Sequence, residues 1–273
     1  MIKVLSKAAL KILIIVVIIF TESCNTVPVT GRKQVSLMPE SQLIALSLTN
    51  YSDFMSTHQK STNTEQTKMV KEVGQNIANA VTTFLKSKGK ESLIDGYQWE
   101  YNLVEDPQPN AWCMPGGKIV IYTGILPYTK DAAGLSVVMG HEVAHAVARH
   151  GNERMSHQIV AQYGAQVLSQ FISEKPEETQ ILFQQAYGLG AQYGVMLPYS
   201  RLHETEADKM GLIFMAIAGY NPQTAVEFWE RMSKSGGQKP PEIMSTHPSD
   251  ETRINTLKEF MPEALKHYKN IKL

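Results

Sequence analysis

Apolar and polar positions along this chain change rhythm several times, and each change marks an element. An unbroken apolar run from Ile12 to Phe20 follows Lys3, Lys7 and Lys11. This arrangement reads as an export signal over residues 1–23, and the run is too short to span a bilayer as a helix. Asn25 to Met38 shows no periodicity and carries Pro28, Gly31 and Arg32, which predicts a tether over 24–38. Helical spacing begins at Pro39, and Met69, Val73, Ile77 and Val81, each four apart, predict a second helix ending near Gly89. Tyr97–Val104 and Lys118–Thr123 read as strands, the second behind a Pro115-Gly116-Gly117 turn. Asp131 is placed to cap a third helix and Gly151 to stop it. Helical patterns recur at Met155–Ser173 and Pro176–Gly188, and the glycine-rich Gly188–Pro198 stretch predicts an irregular segment. Met210, Leu212, Ile213, Phe214 and Met215 then predict a buried helix stopping at Gly219. One more helix starts at Asn221-Pro222 and runs through Met232, and a last one follows Pro248 beyond a Ser235–Pro241 loop. The sum is an α+β, mainly helical chain with a small sheet and one domain over residues 39–273.

Composition narrows the class. The chain has 273 residues, 43% of them hydrophobic, enough for one sizeable core, and 26 basic residues balance 26 acidic ones. No basic patch and no phosphate-cradling glycine loop occurs, so a nucleic-acid partner is not expected. Two cysteines are present. Cys24 directly follows the apolar segment, where a bacterial lipoprotein would be processed and acylated, although Thr21-Glu22-Ser23 departs from the aliphatic and small residues expected there. Cys113 is expected to stay a free thiol packed as a small apolar group.

Chemistry concentrates in His141-Glu142-Val143-Ala144-His145, embedded in an apolar helix. Histidines at i and i+4 share a helix face and can reach one metal ion, while Glu142 projects beside them as a general base. A catalytic zinc typically takes three protein ligands and keeps a position open. Ser200-Arg201-Leu202-His203-Glu204-Thr205-Glu206-Ala207-Asp208 is the best supplier of the third. Glu204 as ligand leaves Asp208, four residues on, to accept the ring N–H of a ligating histidine. His203 is the rival ligand, at the expense of that pairing. Glu206 reads as a solvated glutamate on another side of the helix.

HExxH, the later SRxxExxxD segment, the preceding NAxxxPGG strand (Asn110 to Gly117) and Thr246-His247-Pro248 together resemble the HtpX and CAAX-prenyl-endopeptidase family of zinc metallopeptidases, most of all its LoiP/BepA-like bacterial lipoprotein branch. The resemblance runs from about Pro39 to the end. It implies a single gluzincin-like domain with one Zn(2+) per chain, bound by His141, His145 and Glu204. Glu142 would be the general base and Asp208 would support the site. It also implies an edge strand along the cleft, Gly117, Lys118, Ile119 and Val120, to which an extended polypeptide can add by main-chain hydrogen bonds. His247 and Arg253 are candidates to stabilise an oxyanion, with Arg253 steadying His247. His247 could alternatively latch onto the open zinc position. The expected role is a metalloendopeptidase of the cell envelope, acting on misfolded or unassembled proteins and held to a periplasm-facing outer-membrane surface through Cys24. The competing readings are an envelope folding or assembly factor and a purely structural zinc protein. An intact HExxH argues against the latter, since structural sites are closed by four ligands.

Overall fold

A computed structural model describes residues 24–235 and 250–269. The expected signal segment 1–23 and the segment holding His247 lie outside these described residues. Element order is β1 (Cys24–Thr26), β2 (Lys33–Val35), α1 (Glu40–Thr57), α2 (Thr64–Ser87), β3 (Glu100–Val104), β4 (Ala111–Met114), β5 (Lys118–Tyr122), α3 (Ala132–Val147), α4 (His150–Ile172), α5 (Glu177–Ala191), α6 (Leu197–Ile217), α7 (Thr224–Ser235) and α8 (Asp250–Lys269). The α+β, mainly helical reading holds.

The core forms where α2, α3, α6 and α8 meet one face of a three-stranded sheet. Ile77, Leu103, Ile119, Ile121, Leu135, Met139 and Phe214 are all fully or almost fully buried there. The opposite face carries Val104, Val120 and Tyr122 and is covered by Tyr51 and Phe54 of α1, with Phe54 edge-on to Trp112 at 5.0 Å. A sheet covered on both faces has no polar alternation, which is why all five residues from Lys118 to Tyr122 are buried.

Strand order corrects one expectation. The order is β3-β5-β4, with β5 parallel to β3 and antiparallel to β4. Lys118, Ile119 and Val120 therefore occupy the central strand, where both backbone edges are already paired, and cannot take an added strand. Gly117 belongs to the turn before it: its φ of +83° and its approach to Trp99, whose ring a Cβ would meet at 2.9 Å, both require glycine. The edge strand is β4, in the Asn110–Met114 stretch itself.

Three further differences have physical causes. The α3 helix stops at Ala148, not Gly151; Arg149 takes the left-handed conformation (φ +57°) usually left to glycine, and its Nε lies 3.3 Å from Glu40 Oε2. Helix α4 begins immediately, so the chain turns sharply and sets His150 beside His145. The Gly188–Pro198 segment is helical: α5 runs to Ala191, a wide π turn covers Gln192–Met196, and Pro198 falls in the first turn of α6, where a missing N–H costs nothing. Finally, residues 24–38 are not a free tether. Strands β1 and β2 pair antiparallel, Val27 is fully buried in the core, and Leu37 N–H donates to Ser156 Oγ of α4 at 2.9 Å.

Helices α4 and α5 pack on each other as a hairpin that leaves Tyr163, Val167, Phe171, Leu182 and Phe183 exposed. Among the described residues, no helix is long and apolar enough to cross a membrane.

Candidate metal centre and active site

Two glycines let the helices that carry the site meet. At the α3–α6 crossing a Cβ on Gly211 would fall 2.9 Å from His141 N and 3.0 Å from Gly140 C, and one on Gly140 would fall 3.0 Å from Gly211 O. Only hydrogen at both positions allows backbones this close. The N-terminal half of α6 is thereby laid along the histidine face of α3. Asp131 caps α3 as expected, its carboxylate accepting Gly134 N–H at 2.8 Å.

The structure brings together His141, His145 and Glu204. Their ligand atoms all lie within 4.8 Å of one another. The two Nε2 atoms are 3.1 Å apart, Glu204 Oε1 is 3.3 Å from His145 Nε2, and Glu204 Oε2 is 3.5 Å from His141 Nε2. Zinc–nitrogen bonds of 2.0–2.1 Å place two ligands of a tetrahedron about 3.3–3.4 Å apart. The three separations bracket that edge, so the spacing of the donor set fits a zinc ion. His203, the rival ligand, turns away and gives its Nε2 to Glu153 Oε2 at 2.8 Å.

Each candidate ligand ring is held from behind. His141 Nδ1–H donates to Asp208 Oδ1 at 2.9 Å, as the four-residue spacing after Glu204 predicted. Arg253 lies over the Trp229 ring, 3.5 Å from its centroid, and donates to Asp208 Oδ1 at 2.6 Å, with Nη1 3.3 Å from Glu204 Oε2. It steadies the two carboxylates of α6. His145 Nδ1 faces His150 Nδ1 at 2.9 Å, and His150 Nε2 faces Glu206 Oε2 at 3.2 Å. Glu206 is thus not solvated; it is 1% exposed. A signal for it was present: His150 and Glu153 on α4, like His203 and Glu206 on α6, stand three apart, so each pair shares a helix face.

Protonation follows the geometry. Burial pulls His145 down to about 3 despite its contact with Glu204, and pulls His150 down to about 4 despite Glu206, so both rings are neutral near pH 7. Burial and Arg253 press His141 the same way, but hydrogen bonds to Asp208 and Glu204 prevail and raise it to about 10. Asp208 would be raised by burial, yet Arg253 and His141 hold it below the usual carboxylate range.

Glu142 is half-buried on α3, and β4 packs along that helix. Burial, and after it the charge of Glu142, push the Cys113 thiol of β4 well up. Cys113 is thus an inert neutral group, and the edge strand runs beside the candidate base.

Residues 65–261 match the Peptidase family M48. The chain belongs to that family. Among curated relatives of this M48 chain, "Mitochondrial metalloendopeptidase OMA1" of Schizosaccharomyces pombe is 38% identical over 186 residues, covering 67% of this chain and 53% of the relative. Human "Metalloendopeptidase OMA1, mitochondrial" is 31% identical over 261 residues, covering 93% and 49%. A more distant relative, the "Putative beta-barrel assembly-enhancing protease" of Vibrio cholerae, is 28% identical over 162 residues, covering 58% and 33%. The chain spans about half the length of the OMA1 relatives or less.

Proposed function

We propose that this chain is a zinc-dependent endopeptidase of the bacterial cell envelope, of the lipoprotein branch of its family, that cleaves extended segments of misfolded or unassembled proteins. The convergence of two Nε2 atoms and one carboxylate at tetrahedral spacing, with Glu142 beside His141 on the same helix, carries the reading. His141, His145 and Glu204 would hold the zinc, which when bound supplies Lewis acidity toward water and the scissile carbonyl. Glu142 takes the proton of the attacking water and returns it to the leaving amine. Asp208 and Arg253 hold His141 and Glu204 in place. An extended substrate adds to β4, whose outer edge pairs with no other strand among the described residues.

The envelope location rests on the apolar run before Cys24 and on the likeness to the V. cholerae protease. Acylation at Cys24 would anchor the domain closely, since the chain enters β1 at that residue. The name of that relative also favours the second reading, a β-barrel assembly factor in which client binding matters more than cleavage.

One substitution separates the two. Glu142→Gln removes the base and no ligand, so it should retain about one zinc per chain by metal analysis and lose peptide hydrolysis. If that variant still complements loss of the gene, the peptidase reading fails as the physiological role. If it hydrolyses peptide at the wild-type rate, the assignment of the base is wrong.

A further inference from the structure

Behind His145 lies a second polar cluster that metal binding alone does not require. Helices α4 and α6 each carry a His-x-x-Glu pair, His150 with Glu153 and His203 with Glu206, and the pairs are exchanged across the interface. His150 Nε2 reaches Glu206 Oε2 at 3.2 Å, while His203 Nε2 reaches Glu153 Oε2 at 2.8 Å. The two rings stack 4.3 Å apart at 11°. All four residues are buried, three of them 1% exposed.

Two buried carboxylates this close would repel one another. Arg32, from the turn between β1 and β2, inserts its guanidinium between them. Its Nη1 and Nη2 donate to the two oxygens of Glu153 at 2.8 and 2.6 Å. Its Nε and Nη2 donate to the two oxygens of Glu206 at 3.0 and 2.9 Å. Thr30 adds a hydroxyl donor to Glu206 Oε1 at 2.6 Å. A guanidinium that forks to two carboxylates at once fixes the position of both, which a point charge on a flexible stem does not.

Only one set of tautomers satisfies the chain of contacts that leads from Arg32 to the metal centre. Glu206 is acceptor-only, so His150 Nε2 carries a proton and its Nδ1 accepts. His145 Nδ1 then carries a proton and donates to His150, and the lone pair left on His145 is at Nε2, the atom that faces His141 and Glu204.

We propose that Arg32 is a positioning residue for the metal centre: through Glu206 and His150 it fixes the ring orientation and tautomer of His145, so that the segment after Cys24 is part of the support of the site. The proposal rests on the reading of His145 as a metal ligand. A carboxylate or histidine behind a ligating ring is worth about 10–100-fold in metal affinity. Arg32 acts two contacts further out, and its effect passes through Glu206 and His150.

The test is zinc affinity of the full chain, by competition with a chromophoric chelator, for wild type, Arg32→Gln, Arg32→Lys, His150→Phe and Arg32→Gln with His150→Phe. Arg32→Gln and His150→Phe should each weaken zinc by about 10–100-fold, and the double variant should be no weaker than the poorer single one, because the two residues act along one path. Arg32→Lys should fall between wild type and Arg32→Gln. Unchanged zinc affinity in Arg32→Gln overturns the proposal, and so do effects that multiply in the double variant, as two independent packing defects would. Nitrogen NMR of ring tautomers in the wild-type protein gives a readout that survives if a variant does not fold. Protons on His145 Nδ1 and His150 Nε2 are expected, and the reverse assignment rejects the relay. A wild-type chain that binds no zinc at all would sink the metal reading itself, a failure distinct from these.

Discussion

Gly211→Ala tests whether the α3–α6 crossing is what assembles the site. The added methyl would sit 2.9 Å from His141 N, 3.0 Å from Gly140 C and 3.2 Å from His141 Cα. All three are backbone atoms of a packed helix, so no side chain can swing aside. Relieving contacts of this length to the ordinary range of about 3.5–4.0 Å parts the helices by roughly half an ångström to an ångström. Overpacking of this kind costs about 1–3 kcal/mol, while replacing a mid-helix glycine by alanine returns up to about 1 kcal/mol of helix propensity. A net loss of about 1–2 kcal/mol is expected in chemical denaturation. The larger consequence falls on the metal centre, because ligand geometry tolerates only about 0.2 Å. Glu204 sits two turns from Gly211 on α6 and Asp208 one turn away, so both are displaced from α3. Zinc affinity should fall at least tenfold. Gly188→Ala is the control: this glycine lies inside α5 with nothing within 4 Å of an added Cβ, so the same change there should be neutral or stabilising by up to about 1 kcal/mol and leave zinc untouched. If Gly211→Ala matches wild type in both stability and zinc affinity, close backbone approach does not build this site.

Two further outcomes follow from the charges around it. Glu204→Ala should lose zinc while the protein stays folded, by metal analysis and circular dichroism; full retention would return the third-ligand role to another residue. Burial alone would raise Glu153, but hydrogen bonds from Arg32 and His203 prevail and lower it to about 2. A carboxylate with a depressed folded pKa stabilises the fold above its unfolded value of about 4.5 and ceases to do so as pH falls toward 2. The chain should therefore lose stability across that window, and Arg32→Gln, which removes the strongest opponent of burial, should move the acid-unfolding midpoint upward. A midpoint that stays put would show that Arg32 does not hold Glu153 ionised.

The part of the site that was legible in the sequence is the part written in local spacing. His141 and His145 at i and i+4, and Glu204 and Asp208 at i and i+4, need only the helical repeat to share faces, and the structure sets those two faces against each other. What escaped depends on partners distant along the chain. Glu206 reads as a surface glutamate until Arg32, far upstream, is known to fold over it. The order β3-β5-β4 cannot be inferred from two strand-like runs and a turn, because the strand after the glycine pair is flanked on its other side by a partner that precedes it. Arg149 offers no glycine at the α3 stop, so the elbow that delivers His150 was invisible as a pattern.

Charge gives the strongest argument that these pieces form one device. Across the centre and its backing lie four ordered carboxylates, Glu153, Glu204, Glu206 and Asp208, each no more than 8% exposed. Two guanidiniums face them, Arg32 from the N-terminal hairpin and Arg253 from the last helix. The lowered values of His145 and His150 keep those rings uncharged. Buried charge left unmatched in a low-dielectric interior costs several kcal/mol per ion. Among these six groups the surplus is two negative charges, and among the described residues histidine and carboxylate donor atoms converge at His141, His145 and Glu204, with Arg253 at the rim of the site. A divalent cation held there would bring these six groups to neutrality. Hydrogen bonds to Asp208 and Glu204 raise His141 against burial, so the same carboxylates that would face a metal ion also favour a proton on this ring.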